Sequence, residues 1–264
     1  MVNKINLYRN PNSHKGDTSR ELFDMWSEAG YCNLIDCDST ISWLYDINDV
    51  LLYEFNCEPN VPVPDKDSVN LGLFGNYKPN DWGLHWVFWA RRPRILEEKI
   101  DQGILNLSQR NISSIFIGNN ENYIQKNNRI KADWSSAIEQ FSMIDGNAHR
   151  YTQEEYLNLM ATSKYGLCLA GYGRKCNRDV ECMGLGTVPL VAPEVDMNYY
   201  DLPQEGIHYF RVNGPQDIVD IINNLSESDW KWMSDNCVDW WHRNCSCQGS
   251  FNTTLSIIDK HHGK

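Results

Sequence analysis

Apolar residues recur along the chain in short runs of four to six, separated by polar stretches and by longer segments with a helical apolar period. Runs of that length, bounded by turn residues, predict buried strands. The first lies at 4–8. A polar, turn-rich loop over 10–18 follows, then a helix over 20–29 with Leu22, Phe23, Met25 and Trp26 on one face and Thr18 or Ser19 as its cap. A second strand is predicted at 33–36, a short helix at 42–48 and a third strand at 49–55. This alternation argues for a parallel sheet. Residues 59–67 are a proline-rich connection, 70–74 a further strand, 77–89 an aromatic-dense stretch and 93–103 a helix.

From about residue 110 the alternation begins again. Strands are predicted at 113–117, 142–144, 166–169, 187–191 and 209–212. Helices are predicted near 121–141 and at 153–162, 177–185, 215–225 and 228–243, with a polar tail after them. The pattern therefore divides the chain into two α/β halves, residues 1–110 and 111–264. There is no internal repeat.

Composition narrows the class. The 264 residues are 41% hydrophobic with a mean hydropathy of -0.54, enough apolar chain for a substantial core. The net charge of -11 argues against coating nucleic acid. No apolar run approaches the roughly 18 residues of a membrane span, and the N-terminus has no apolar leader core. A cytoplasmic protein is expected. The nine cysteines are scattered, odd in number and without a CxxC pair, which predicts buried reduced thiols.

An acidic protein that binds an anion must concentrate its cations locally. Residues 163–193 do so: a strand leads into Gly171-Tyr172-Gly173-Arg174-Lys175, a short helix carrying Arg178 and Glu181 follows, Gly186 ends it, and the strand Thr187-Val188-Pro189-Leu190-Val191 comes next. A basic glycine loop at a helix N-terminus suits a diphosphate, because free backbone N–H groups and the helix dipole point the same way. A carboxylate one turn further on can take ribose hydroxyls.

This stretch resembles the donor-binding core of the exostosin-like glycosyltransferases, in the compact form found in large DNA viruses. The matching residues are Ser163, Tyr165, Leu167 and Gly171, then Arg178 and Glu181 in an Arg-x-x-Glu helix, then Gly186 and Pro189 in a Gly-x-x-Pro strand. The match covers about thirty residues, and Leu169-Ala170 stands where the family often has Pro-Arg. The resemblance implies a GT-B-like fold, two Rossmann-like domains facing across a cleft, with the terminal helices crossing back to the first. It implies transfer of a sugar, xylose by analogy, from a UDP-sugar to a glycan hydroxyl, with inversion and without a required metal. In a viral protein the setting would be the host cytoplasm.

The resemblance also assigns roles. Gly171, Gly173, Arg174, Lys175, Arg178 and Glu181 would bind the donor, with Asn119 and Arg129 beyond the strand at 113–117 as secondary contacts. The base would come from the loop after the first strand, from Asp17 or His14, with Glu54 and Asp81 as rivals. Trp82, His85 and Trp86 could stack on the acceptor sugar. Asp17 could equally cap a helix, and the tryptophans could be core. A competing reading takes Asp36-Cys37-Asp38 as a DxD pair holding Mn²⁺ or Mg²⁺ in a GT-A-like enzyme. A third is a non-catalytic carbohydrate-binding module. His242, Cys245, Cys247, His261 and His262 fit no common zinc spacing.

Overall fold

The computed structural model describes residues 5–9, 17–36, 43–47, 50–53, 68–70, 90, 92–106, 110–119, 122–142, 151–171, 174 and 177–261. They form an α/β protein with two five-stranded sheets.

The first sheet comprises β1 (Ile5–Arg9), β2 (Cys32–Asp36), β3 (Trp43–Ile47), β4 (Val50–Tyr53) and β5 (Ser68–Asn70), in the order β2-β1-β3-β4-β5. It is mixed, where strand–helix alternation predicted a parallel sheet. β1 runs parallel to β2 but antiparallel to β3, and β3 runs antiparallel to β4. The predicted helix at 42–48 is the strand β3. Only two residues separate β3 from β4, too few for the crossover that a parallel pair needs, so the pair closes as a hairpin with Ile47 opposite Val50. A short apolar run carries no period that distinguishes strand from helix.

The second sheet is wholly parallel. It contains β6 (Ile112–Ile117), β7 (Gln140–Ser142), β8 (Ser163–Cys168), β9 (Val188–Val191) and β10 (Phe210–Arg211), in the order β10-β9-β8-β6-β7. Its first two strands lie side by side, and the next three then build outward from the other edge of β6. The direction of winding reverses between β6 and β8. In an open α/β sheet such a reversal opens a crevice beyond the carboxyl ends of the two strands. Ile115, Phe116, Leu167, Cys168, Leu190 and Val191 are fully buried. Each large apolar side chain withdrawn in this way contributes about 1.5–3 kcal/mol.

Helices α1 (Asp17–Glu28) and α2 (Pro93–Asp101) precede the second sheet. Within it come α3 (Tyr123–Asn127), α4 (Gln153–Ala161) and α5 (Asn177–Gly184), and then α6 (Pro215–Asn224), α7 (Glu227–Asn244) and α8 (Cys247–His261). α4 starts with a capping box between Thr152 and Glu155. α5 ends in a Schellman turn: Thr187 N–H donates to the Cys182 carbonyl and Gly186 N–H to that of Met183, with Gly186 at φ +64°. Arg110 locks this corner by donating to the Ser163 and Leu185 carbonyls and to Thr187 Oγ1.

Two further expectations need correction. The long helix near 121–141 is the short α3 and a 3₁₀ turn, Trp134–Ala137. α3 buries none of its residues, and a helix without a packed face does not propagate. The polar tail is largely the helix α8. It packs on α7 and returns to α1. Trp26 Nε1 donates to Ser250 Oγ at 3.0 Å, Tyr31 stacks on Phe251, and Glu97 Oε2 accepts the Cys247 N–H at 2.8 Å.

Candidate functional site at the strand reversal

The carboxyl ends of β6 and β8 are held by two arginines. Arg178, on the first turn of α5, donates through Nη2 to the Ile117 carbonyl, and its guanidinium lies 4.5 Å from the Phe116 ring centroid. Arg129, beyond α3, donates from Nε to the Ala170 carbonyl at 2.8 Å, from Nη1 to the Asn119 carbonyl at 3.0 Å and from Nη2 to Gln125 Oε1 at 2.9 Å. It therefore ties the loop after β6 to the loop after β8. Its guanidinium is 5.6 Å from the same ring. The planar fork of arginine suits carbonyls arriving from two loops, a task for which a lysine ammonium lacks the geometry. Gly118 makes the arrangement fit. A Cβ there would stand 2.7 Å from Phe116 Cζ and 2.9 Å from Arg178 Nη2.

Beside this clamp lies a cavity of about 550 Å³ over the ends of β8 and β9. That volume falls within the roughly 300–1,000 Å³ of small-molecule sites. Its wall includes Asn128, Ala170, Arg174, Glu194, Asp196 and Arg211. Arg174 is exposed, and its carbonyl accepts the Asp196 N–H at 2.8 Å, which anchors its backbone to the segment after β9. Asn128 Nδ2 donates to the Gly171 carbonyl at 3.3 Å. Arg211 Nη1 bridges the Ala192 and Val195 carbonyls. The N-terminus of α5 follows the Arg174 segment, so its dipole adds positive potential on that side.

The structure brings Asn119, Arg129, Gly171 and Arg178 together at the reversal, with Arg174 on the cavity wall. Glu181 stands elsewhere. It is 3% exposed, does not line the cavity, and accepts a 2.6 Å hydrogen bond from the Tyr156 hydroxyl of α4. Burial and the Glu181 charge push the Tyr156 phenol well above its ordinary range, so it stays a donor. Asp179 is also sealed, with its Oδ2 accepting from Tyr199 at 2.8 Å. Cys168 and Cys182 are buried, and burial pushes both thiols up, so neither is a thiolate at neutral pH. The six described cysteines are free thiols, five of them buried.

His14, Asp38, Glu54, Asp81, Trp82, His85, Trp86, Asn120, Gly173, Lys175 and His262 lie outside the described residues. Asp17 opens α1 and Asp36 closes β2; their side chains are likewise outside the description. Among the described residues no three His, Cys, Asp or Glu side chains converge on a point that could hold a metal ion. No described helix is long and apolar enough to cross a membrane.

Sequence reasoning missed Asn128, Glu194, Asp196 and Arg211. A signal existed for two of them. Glu194 and Asp196 follow a predicted parallel strand directly, and the carboxyl ends of such strands are where ligands sit. No protein-family model matches the chain, and no curated protein is detectably similar to it.

Proposed function

We propose that the chain is a glycosyltransferase that moves a sugar from a UDP-sugar to a hydroxyl of a glycan acceptor. The observation that carries this reading is the cavity over the ends of β8 and β9, beside the reversal of the parallel sheet, with Arg174 on its wall and the α5 N-terminus alongside. A nucleotide diphosphate suits that position, since both an arginine and the positive end of a helix dipole stabilise the charge that develops as it leaves. The two sheets would be the two halves of a GT-B-like cleft, and the return of α8 to α1 supports that arrangement.

In this reading a base from the first half, Asp17 or His14, takes the acceptor proton. The acceptor oxygen then attacks the anomeric carbon from the face opposite the diphosphate. The bond from that carbon to the diphosphate oxygen breaks, and the nucleoside diphosphate leaves with the electron pair. The configuration inverts, and charge stabilisation comes from side chains and amides rather than a required metal. Trp82, His85 and Trp86 would receive the acceptor. Xylose is the first sugar to try.

Calorimetry with a panel of UDP- and GDP-sugars, with and without EDTA, tests the proposal. Micromolar binding of one UDP-sugar that survives EDTA is expected. Arg174→Ala should lose at least tenfold in affinity with unchanged melting, because Arg174 is exposed and its anchoring bond is made by backbone. Binding that requires Mn²⁺ would overturn the metal-independent form and turn attention to Asp36 and Asp38. A folded protein that binds no nucleotide would overturn the function.

A further inference from the structure

We infer that Glu194 is the carboxylate that takes vicinal ring hydroxyls of the ligand in this cavity, the role that sequence resemblance gives to Glu181. The inference rests on reading the cavity as the donor seat. Glu194 stands on the cavity wall in the segment just beyond β9. One of its oxygens, Oε1, accepts a long 3.4 Å bond from the Ile130 N–H. The other, Oε2, is buried and has no hydrogen-bond partner among the described residues. A buried carboxylate oxygen without a donor costs free energy that a bound hydroxyl would recover.

The chemistry selects the ligand group. An ionised carboxylate only accepts, so it pairs with hydroxyl donors and repels phosphate. Two adjacent ring hydroxyls match its two oxygens. Asp196 is on the same wall and adds negative charge. Arg174 and Arg211 line the cavity as well and add positive charge. A wall bearing both signs suits a ligand that is anionic in one part and hydroxylated in another. Glu181 has no comparable access, because its carboxylate is covered and bonded by Tyr156.

The diol could belong to the ribose or to the transferred sugar, and the ligand series separates them. Affinities of UDP, 2′,3′-dideoxy-UDP and the best-binding UDP-sugar are measured for wild type, Glu194→Gln and Glu194→Asp. Glu194→Gln keeps the shape and removes the charge, and should weaken the diol-bearing ligand by roughly 10- to 100-fold. If the ribose is held, UDP weakens and dideoxy-UDP does not. If the transferred sugar is held, UDP and dideoxy-UDP keep their affinity and only the UDP-sugar weakens. Glu194→Asp retains the carboxylate, should recover part of the loss, and serves as the second variant if the glutamine form does not fold. Equal weakening of all three ligands, or none, would overturn the inference while leaving the donor seat intact. If wild type binds no nucleotide, the donor reading fails separately. Glu194 is then judged by saturation-transfer NMR with free ribose and xylose. A signal lost in Glu194→Gln supports the hydroxyl role, and no signal in wild type overturns it.

Discussion

Replacing Gly118 with alanine places a methyl carbon 2.7 Å from Phe116 Cζ and 2.9 Å from Arg178 Nη2, where ordinary contact begins at 3.4 Å. Neither neighbour yields easily. Phe116 is fully buried and stacks on Phe141, and Arg178 is fixed to the Ile117 carbonyl. Overpacking of this kind costs about 1–3 kcal/mol. Loss of the charged Arg178 hydrogen bond would cost about 1.5–3 kcal/mol, and the two overlap because they share one side chain, so about 2–4 kcal/mol in total is expected. For a chain of this size that corresponds to a melting decrease of about 4–8 °C. Two other glycines give the scale. Gly206 is at φ +78° with nothing within 4 Å of a Cβ, so Gly206→Ala should show left-handed strain alone, about 1–2 kcal/mol. Gly214 has open space and an extended backbone, and Gly214→Ala should stay within about 0.5 kcal/mol of wild type. Thermal and urea melts rank the three, and calorimetry reads nucleotide affinity, which should fall only in Gly118→Ala. A Gly118→Ala protein that melts with Gly214→Ala would refute the close packing of Phe116 and Arg178 at the strand reversal.

Other perturbations probe the sealed groups. Tyr156→Phe removes the 2.6 Å bond to the buried Glu181 carboxylate and should lower stability by about 1–3 kcal/mol, seen as a shifted urea midpoint at unchanged slope. An unshifted midpoint would mean that Glu181 does not depend on this donor. His208 is held neutral, its pKa lowered first by burial and then by the Arg243 charge, and its Nδ1 accepts the Gln204 N–H at 2.9 Å. Asp201 and Asp239 also face it and pull the other way. The unfolded chain therefore takes up the proton first. The contribution is present above the ordinary value of 6.5 and is lost as pH falls below it. Urea midpoints between pH 8 and pH 5 should decline more steeply for wild type than for His208→Gln. Parallel declines would remove His208 from the account.

Much of the second sheet was legible in the sequence because its signals are local. The strands predicted at 113–117, 166–169 and 187–191 fall on β6, β8 and β9, because each contains a short apolar run that favours burial. The end of α5 was legible because Gly186 tolerates a left-handed backbone that other residues resist. The gathering of Asn119, Arg129, Gly171 and Arg178 at one edge was implied once the strands were placed, since consecutive parallel strands deliver their following loops to the same side. The first sheet was legible only in part: the strands predicted at 4–8, 33–36 and 49–55 fall on β1, β2 and β4, but β3 and the mixed pairing were not foreseen. β3 carries no period to distinguish it from a helix, and its antiparallel pairing is imposed by the closeness of β4 in the chain.

What the sequence alone determined is the set of elements with a one-sided apolar pattern, and the placing of cations and glycines where a helix begins. What only the tertiary structure decided is which polar groups on those elements face a cavity. α8 shows the difference in a helix: its buried face includes Ser250, Thr253 and Thr254, and its Gly249 is required because a Cβ would stand 2.1 Å from the His242 carbonyl of α7. The two glutamates show it in the site. Both follow or precede a β9 strand by a few residues and look alike in sequence. Glu181 is closed off by a tyrosine twenty-five residues earlier in the chain, whereas Glu194 keeps one buried oxygen without a donor on the wall of the cavity. That distinction depends on which helix packs across each carboxylate, a long-range contact that no local pattern encodes.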